Sequence, residues 1–183
     1  MKCTLLCVLS VASFAAIVPA ARAVDSTASK EIRAEYDKYV KATKAKDMVT
    51  AERIIAPGFK LSMGTLTWNR QQYVAMTRPL AQALRSFEKW DYKFGPMDRK
   101  GNAATGVLLE DTAVTLTGPD GKLHEMTEKS ATRCTFQKLG GVWKLTRLKY
   151  IRDVATLDGK PYATLFETVK PHMMGHKMKK GPM

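Results

Sequence analysis

The sequence predicts a small exported α+β domain built around a cavity, with helices held in the concave side of a strongly bent sheet. Three observations predict it. A 23-residue apolar leader precedes the rest of the 183-residue chain. Between Ile32 and Leu84, three stretches carry apolar residues at helical spacing. From Ser86 onward they alternate, and glycine-rich turns divide the alternating stretches.

Met1 to Ala23 reads as a secretory signal peptide. Lys2 supplies the positive start, Leu5 to Ala16 are apolar and uncharged, and Ala21-Arg22-Ala23 places small residues at a cleavage site. The stretch is shorter than the ~20 apolar residues that a spanning helix needs, so no transmembrane span is expected after processing. Cleavage removes Cys3 and Cys7 and leaves Cys134 without an intrachain partner. The exported domain, secreted or periplasmic, must then rest on an apolar core rather than on disulfides. The alternation around Cys134 predicts a buried, inert thiol.

In the first helix Ile32, Tyr36, Tyr39, Val40 and Thr43 share a face, after a polar lead-in from Val24 to Ser29. Asp47 caps a second, short helix ended by Pro57-Gly58. Phe59 to Met63 and Leu66 to Trp68 are short strands about Gly64. Asn69 with Gln72 forms a capping box for a third helix, whose stripe is Tyr73, Met76, Leu80 and Leu84. Pro79 within that stripe should kink or divide it. Trp90, Tyr92 and Phe94 alternate with charged residues, and Phe87 is out of phase, which predicts a bulge near Glu88-Lys89. Long strands follow over Ala103 to Thr117, Leu123 to Lys138 and Val142 to Asp153, joined by Gly118-Pro119-Asp120-Gly121 and Gly140-Gly141. Strands of this length require curvature. Asp158-Gly159-Lys160-Pro161 adds a further turn, so Val154 to Phe166 reads as a small hairpin or an arm. Residues 167–183, rich in Pro, Gly, His, Met and Lys, read as a basic, disordered tail.

The chain resembles the nuclear-transport-factor-2-like superfamily, which includes the SnoaL-like proteins and the ketosteroid isomerases. Three stretches carry the resemblance: Tyr39 to Met48 as the first helix running into the second, Ala56 to Leu61 as the loop before the first strand, and Gly140-Gly141-Val142-Trp143-Lys144-Leu145 as the entry to the last strand. It implies a cone-shaped roll over residues 24–166: three N-terminal helices packed on a strongly curved antiparallel sheet, a pocket between them, and frequent homodimers through the sheet. It implies no single activity.

No complete catalytic motif is present. On the first-helix match, Tyr39 falls where the isomerases keep an oxyanion-stabilising tyrosine, but Met63 stands where their carboxylate base should be. His124-Glu125-Met126-Thr127-Glu128 lacks the second histidine of a zinc-protease motif and lies on a strand. No cofactor or metal site is indicated, the tail's His172, Met173, Met174, His176 and Met178 included. Arg147 and Lys149 share the parity of Trp143 and Leu145; if that face points inward, they and Arg133 would favour an anionic ligand. Tyr73, Trp90 and Tyr92 are core aromatics first and pocket walls second.

The 30 basic residues against 17 acidic, 28 against 17 once Lys2 and Arg22 leave, suggest attraction to anionic surfaces. The charges are scattered over no recognisable nucleic-acid module, so nucleic acid is not the expected partner. The leading expectation is a non-enzymatic domain binding a small hydrophobic or anionic molecule. The alternatives are a SnoaL-like isomerase, cyclase or hydrolase using Tyr39 with an acid such as Asp91, and a module docking on a protein or envelope polymer.

Overall fold

A computed structural model describes residues 26–64 and 66–162. The leader and the tail, with their processing site and candidate metal ligands, lie outside the described residues. The elements are α1 (Ser26–Lys44), α2 (Met48–Ala51) running into a 3-10 turn (Glu52–Ile54), β1 (Ile55–Met63), β2 (Leu66–Asn69), α3 (Arg70–Ala83), β3 (Leu84–Phe94), β4 (Asp98–Lys100), β5 (Ala103–Thr117), β6 (Leu123–Leu139), β7 (Val142–Leu157) and β8 (Lys160–Tyr162). Three helices thus pack on one large sheet, as expected.

Helix α1 buries Ala28, Ile32, Tyr36 and Val40, one residue per turn, against the sheet. It already includes Ser26 to Ser29, so the expected lead-in is helical. Lys41 and Lys44 complement the carbonyl end of its dipole. Glu31 ties the helix to the sheet by accepting from the Trp143 indole at 2.7 Å and from Lys138 at 2.8 Å. Asp47 caps α2 through the Thr50 amide, and Asn69 with Gln72 forms the capping box of α3. Contrary to expectation, α3 runs unbroken through Pro79. Val74 and Ala81, buried on either side of the proline, seat the helix, and two ties to Glu52 hold the part before it: Arg78 reaches the carboxylate at 2.5 and 2.9 Å, and Arg70 the backbone carbonyl at 3.5 Å.

The strand order is β2-β1-β7-β6-β5-β3, with β4 also on β5 and β8 on β7. All pairs are antiparallel except β1 with β7, which is parallel, so the sheet is mixed rather than wholly antiparallel. The hairpin between β5 and β6 turns at Gly121, whose φ of 77° only glycine adopts freely. Strand β3 carries register shifts after Leu84 and after Phe87, the second at the predicted bulge. Strand β7 carries two more. Leu145 and Arg147 pair with consecutive residues of β6, skipping Thr146, and Tyr150 and Arg152 do so again, skipping Ile151. Each skip reverses which face the following residues occupy.

Across the sheet, the row containing Ala104, Phe136 and Leu145 is solid core, continuous with Phe94 and Trp143. Farther along the same inner face the rows become polar: Leu108, Thr132 and Tyr150; then Glu110, Ser130 and Asp153; then Thr112, Glu128 and Ala155. At those rows the space between helices and sheet is not filled.

Candidate functional site

Two chambers lie beneath the helices. The first, about 190 Å³, is bounded by Tyr36, Tyr39 and Thr43 of α1, by Tyr73 and Met76 of α3, and by the inner face of β3 and β5 to β7. The second, about 600 Å³, runs outward past Met63 and Leu61 to Pro119, His124 and Tyr162. Tyr73, Met76, Leu80, Met126, Glu128 and Tyr150 line both, so the chambers adjoin. Their walls are mainly apolar and aromatic.

The polar groups converge on the inner face of the long strands. Glu110 is enclosed by protein, and the part of its surface that stays open faces the first chamber. Its Oε1 accepts from the Tyr36 hydroxyl at 2.5 Å and the Trp90 indole at 3.1 Å, while Oε2 accepts nothing from the described residues. Burial pushes its carboxyl above the usual range, against the pull of those two donors. Glu128, two residues farther along on neighbouring β6, hydrogen-bonds Asp153 of β7. Desolvation first, then the negative charge of Asp153 and Glu110, pushes the Glu128 carboxyl up to about 8. That carboxyl is therefore protonated at neutral pH beside a second acid.

Four tyrosines surround these acids. Tyr36, Tyr39, Tyr73 and Tyr150 all have phenols raised above their ordinary range, chiefly by burial. The Tyr73 and Tyr39 phenols lie close enough for each to perturb the other. Tyr39 stands edge-on to Trp90, with centroids 6.1 Å apart at 89°. Tyr150 lines both chambers, and its hydroxyl makes no hydrogen bond to any described residue.

Of the residues nominated from sequence, Tyr39, Tyr73 and Trp90 line the first chamber and Met63 and Tyr73 the second. Tyr92 lines neither; it packs edge-on against Tyr36 and donates to Asp37 at 2.6 Å. Arg133, Arg147 and Lys149 are exposed and line neither chamber. The bulge at Thr146 breaks the parity that linked Arg147 and Lys149 to Trp143, and turns Leu148 and Tyr150 inward instead. Among the described residues, no lysine or arginine lines either chamber. Asp91 is exposed and pairs with Lys89 at 3.6 Å, so it cannot serve Tyr39. His124 sits at the rim, held by Asp158 at 2.8 Å and Asp120 at 3.1 Å. Cys134 is buried, and desolvation pushes its thiol up to about 12.

Sequence reasoning missed Glu110, Glu128, Tyr150 and Asp153. For the first two a signal existed. Leu108, Val114, Cys134 and Phe136 share one parity on β5 and β6, and Glu110, Thr112, Glu128, Ser130 and Thr132 interrupt it with polar groups.

No protein-family model matches the chain, and no curated protein matches it by sequence. Solved structures do. A proposed scytalone dehydratase from Novosphingobium aromaticivorans superposes with a TM-score of 0.59 at 11% identity, covering 69% of this chain and 86% of that one. A proposed dehydratase of the NTF2-like family from Streptomyces avermitilis gives 0.55 at 13% identity, over 75% and 98% of the two chains. A conserved protein from Planctomyces limnophilus gives 0.56 at 16%, over 67% and 94%. The chain has the nuclear-transport-factor-2-like fold.

Proposed function

We propose that this protein binds a small molecule with a largely apolar body and one polar end in the two adjoining chambers. The observation that carries the reading is the convergence of Glu110, Glu128, Asp153 and the Tyr150 hydroxyl at one place on otherwise apolar walls. Buried polar groups are costly unless satisfied, so Glu110 Oε2 and the Tyr150 hydroxyl, which meet no donor among the described residues, support a ligand that uses them. The anionic ligand expected from Arg133, Arg147 and Lys149 loses its support, because those cations lie on the outer face. The leader supports an exported protein, secreted or periplasmic. Exposed Leu109, Ile151 and Val154 on the sheet support a homodimer through that surface.

The test is titration with 1-aminoanthracene, a neutral fluorophore of suitable size. One saturable site with a blue shift is expected, with energy transfer from Trp90. Met126→Trp, which fills the junction of the chambers, should abolish it. Linear, unsaturable binding by the wild-type protein would sink the reading.

A second reading has one specific observation in its favour. Two hydrogen-bonded carboxyl groups, one of them protonated at neutral pH, can act as acid and base on a bound molecule. The dehydratases among the structural neighbours suit it. It requires that the natural ligand be turned over, so recovery of that ligand unchanged after long incubation with the protein at pH 7 would exclude it.

A further inference from the structure

Resting on the binding role just proposed, we infer that the ligand is an organic cation: an ammonium group on an apolar body, seated among Glu110, Glu128 and Tyr150.

The charge census of the cavity points one way. Strand β5 presents Glu110, β6 presents Glu128 and β7 presents Asp153. The helices and β3 contribute no charge to it, only Tyr36 and Tyr39 from α1, Tyr73 from α3 and Trp90 from β3. At the rim, His124 is already held between Asp120 and Asp158. An anionic ligand would bring a further negative charge into a low-dielectric space where, among the described residues, no lysine or arginine offsets it. A cation seated among Glu110, Glu128 and Tyr150 meets carboxyl, hydroxyl and aromatic groups, and the histidine at the rim is already paired with its two aspartates.

Two unspent acceptors define where it would sit. Glu110 and Tyr150 line the cavity, and Glu110 Oε2 and the Tyr150 oxygen take no donor from the described residues. Both belong to side chains enclosed by protein. An ammonium has three N–H donors and no acceptor. The rings of Tyr36, Tyr39, Tyr73 and Trp90 add the aromatic surface that attracts a desolvated cation. The three carboxyl groups do not form a cluster that could hold a metal ion, and no such cluster exists among the described residues. The space is sized for an organic molecule.

The proton held by Glu128 fits the same picture. Burial and the neighbouring acids hold its carboxyl protonated at neutral pH. An arriving ammonium replaces that proton as the positive charge, so binding releases a proton to solvent. Affinity for an alkylamine, which stays protonated over this range, therefore rises as pH rises toward the Glu128 pKa.

The test compares three probes sharing one body: 4-phenylbutylamine, 4-phenylbutan-1-ol and 4-phenylbutanoate. Binding is measured by isothermal titration calorimetry in two buffers of different ionisation enthalpy. The amine should bind about tenfold or more tightly than the alcohol, and the carboxylate weakest of all. Amine binding should release close to one proton at pH 7 and tighten between about pH 6 and pH 8.5. In Glu128→Gln, shown to be folded by circular dichroism, the proton release on amine binding should vanish; Glu110→Gln should narrow the gap between amine and alcohol. An alcohol that matches or outbinds the amine in the wild-type protein overturns the cation proposal and leaves the cavity reading standing. If none of the three binds while 1-aminoanthracene saturates, the proposal is likewise overturned; if neither the probes nor the dye binds, the cavity reading falls too.

Discussion

Ionising Glu128 inside the folded protein should cost on the order of 5 kcal/mol, the price of moving a carboxyl from its ordinary 4.5 to about 8. The sign follows from the two states. Below about pH 4.5 the group is protonated in both folded and unfolded chains and contributes nothing. As pH rises through 8 the unfolded chain has already released its proton, and the folded chain must do so against burial, Asp153 and Glu110. Stability is thus highest in acid and falls across that window. For a domain of this size the loss corresponds to roughly 10–20 °C in Tm, with water entering the chambers at high pH moving it toward the lower figure. Glu128→Gln keeps the shape and can donate its amide to Asp153, but has no proton to lose. Thermal unfolding followed by circular dichroism at pH 5 and pH 9 should show the wild type losing at least about 10 °C more than the variant. His124, whose pKa is raised by Asp158 and then Asp120, also loses stabilising charge as pH rises, but both proteins carry it and the comparison cancels it. Equal losses in the two proteins would mean that Glu128 is solvated and ionised, and the account of the cavity floor would be wrong.

Three further outcomes are expected. Phe136 is fully buried between Phe94 and the inner rows of the sheet, so Phe136→Ala should cost about 3–5 kcal/mol in urea unfolding; a cost under about 1 kcal/mol would show that this end of the cone is not close-packed. Peptide mapping after iodoacetamide at pH 8 should find Cys134 unlabelled until denaturant is added, because its thiol is buried and raised to about 12; labelling in the native protein would contradict its placement. Reversing Arg133, Arg147 and Lys149 to glutamate should leave 1-aminoanthracene binding within about twofold but weaken retention on anionic vesicles; a lost cavity site would place those residues inside after all.

Much of the architecture was legible in the sequence because each element obeys a local rule. Asp47 and Asn69 cap the helices that they should, the glycine turns end the long strands where expected, and the step out of phase at Phe87 marks a real bulge. Pro79 does not divide its helix because Val74 and Ala81, on either side of it, are buried in the fold, a tertiary contribution that the local pattern does not show. The parallel pairing of β1 with β7 was not legible at all, since alternation says which face a residue takes but not which strand lies beside it.

The site was harder to read than the fold, for a reason that lies in β7. Side-chain parity holds along a strand only while every residue has its own partner. Thr146 and Ile151 each have none, and neither is a glycine or proline that would announce a bulge. Between the two skips the inward set is Leu148 and Tyr150; beyond the second it is Asp153 and Ala155. A parity count from Trp143 therefore puts Arg147 and Lys149 in the cavity and reads it as positive, whereas the two skips put Tyr150 and Asp153 there and make it acidic. The bulges also bend the strand, so the feature that curves the sheet around the cavity is the one that chooses its charge. In a curved sheet of this kind, the sign of the pocket cannot be separated from the positions of the bulges that create it.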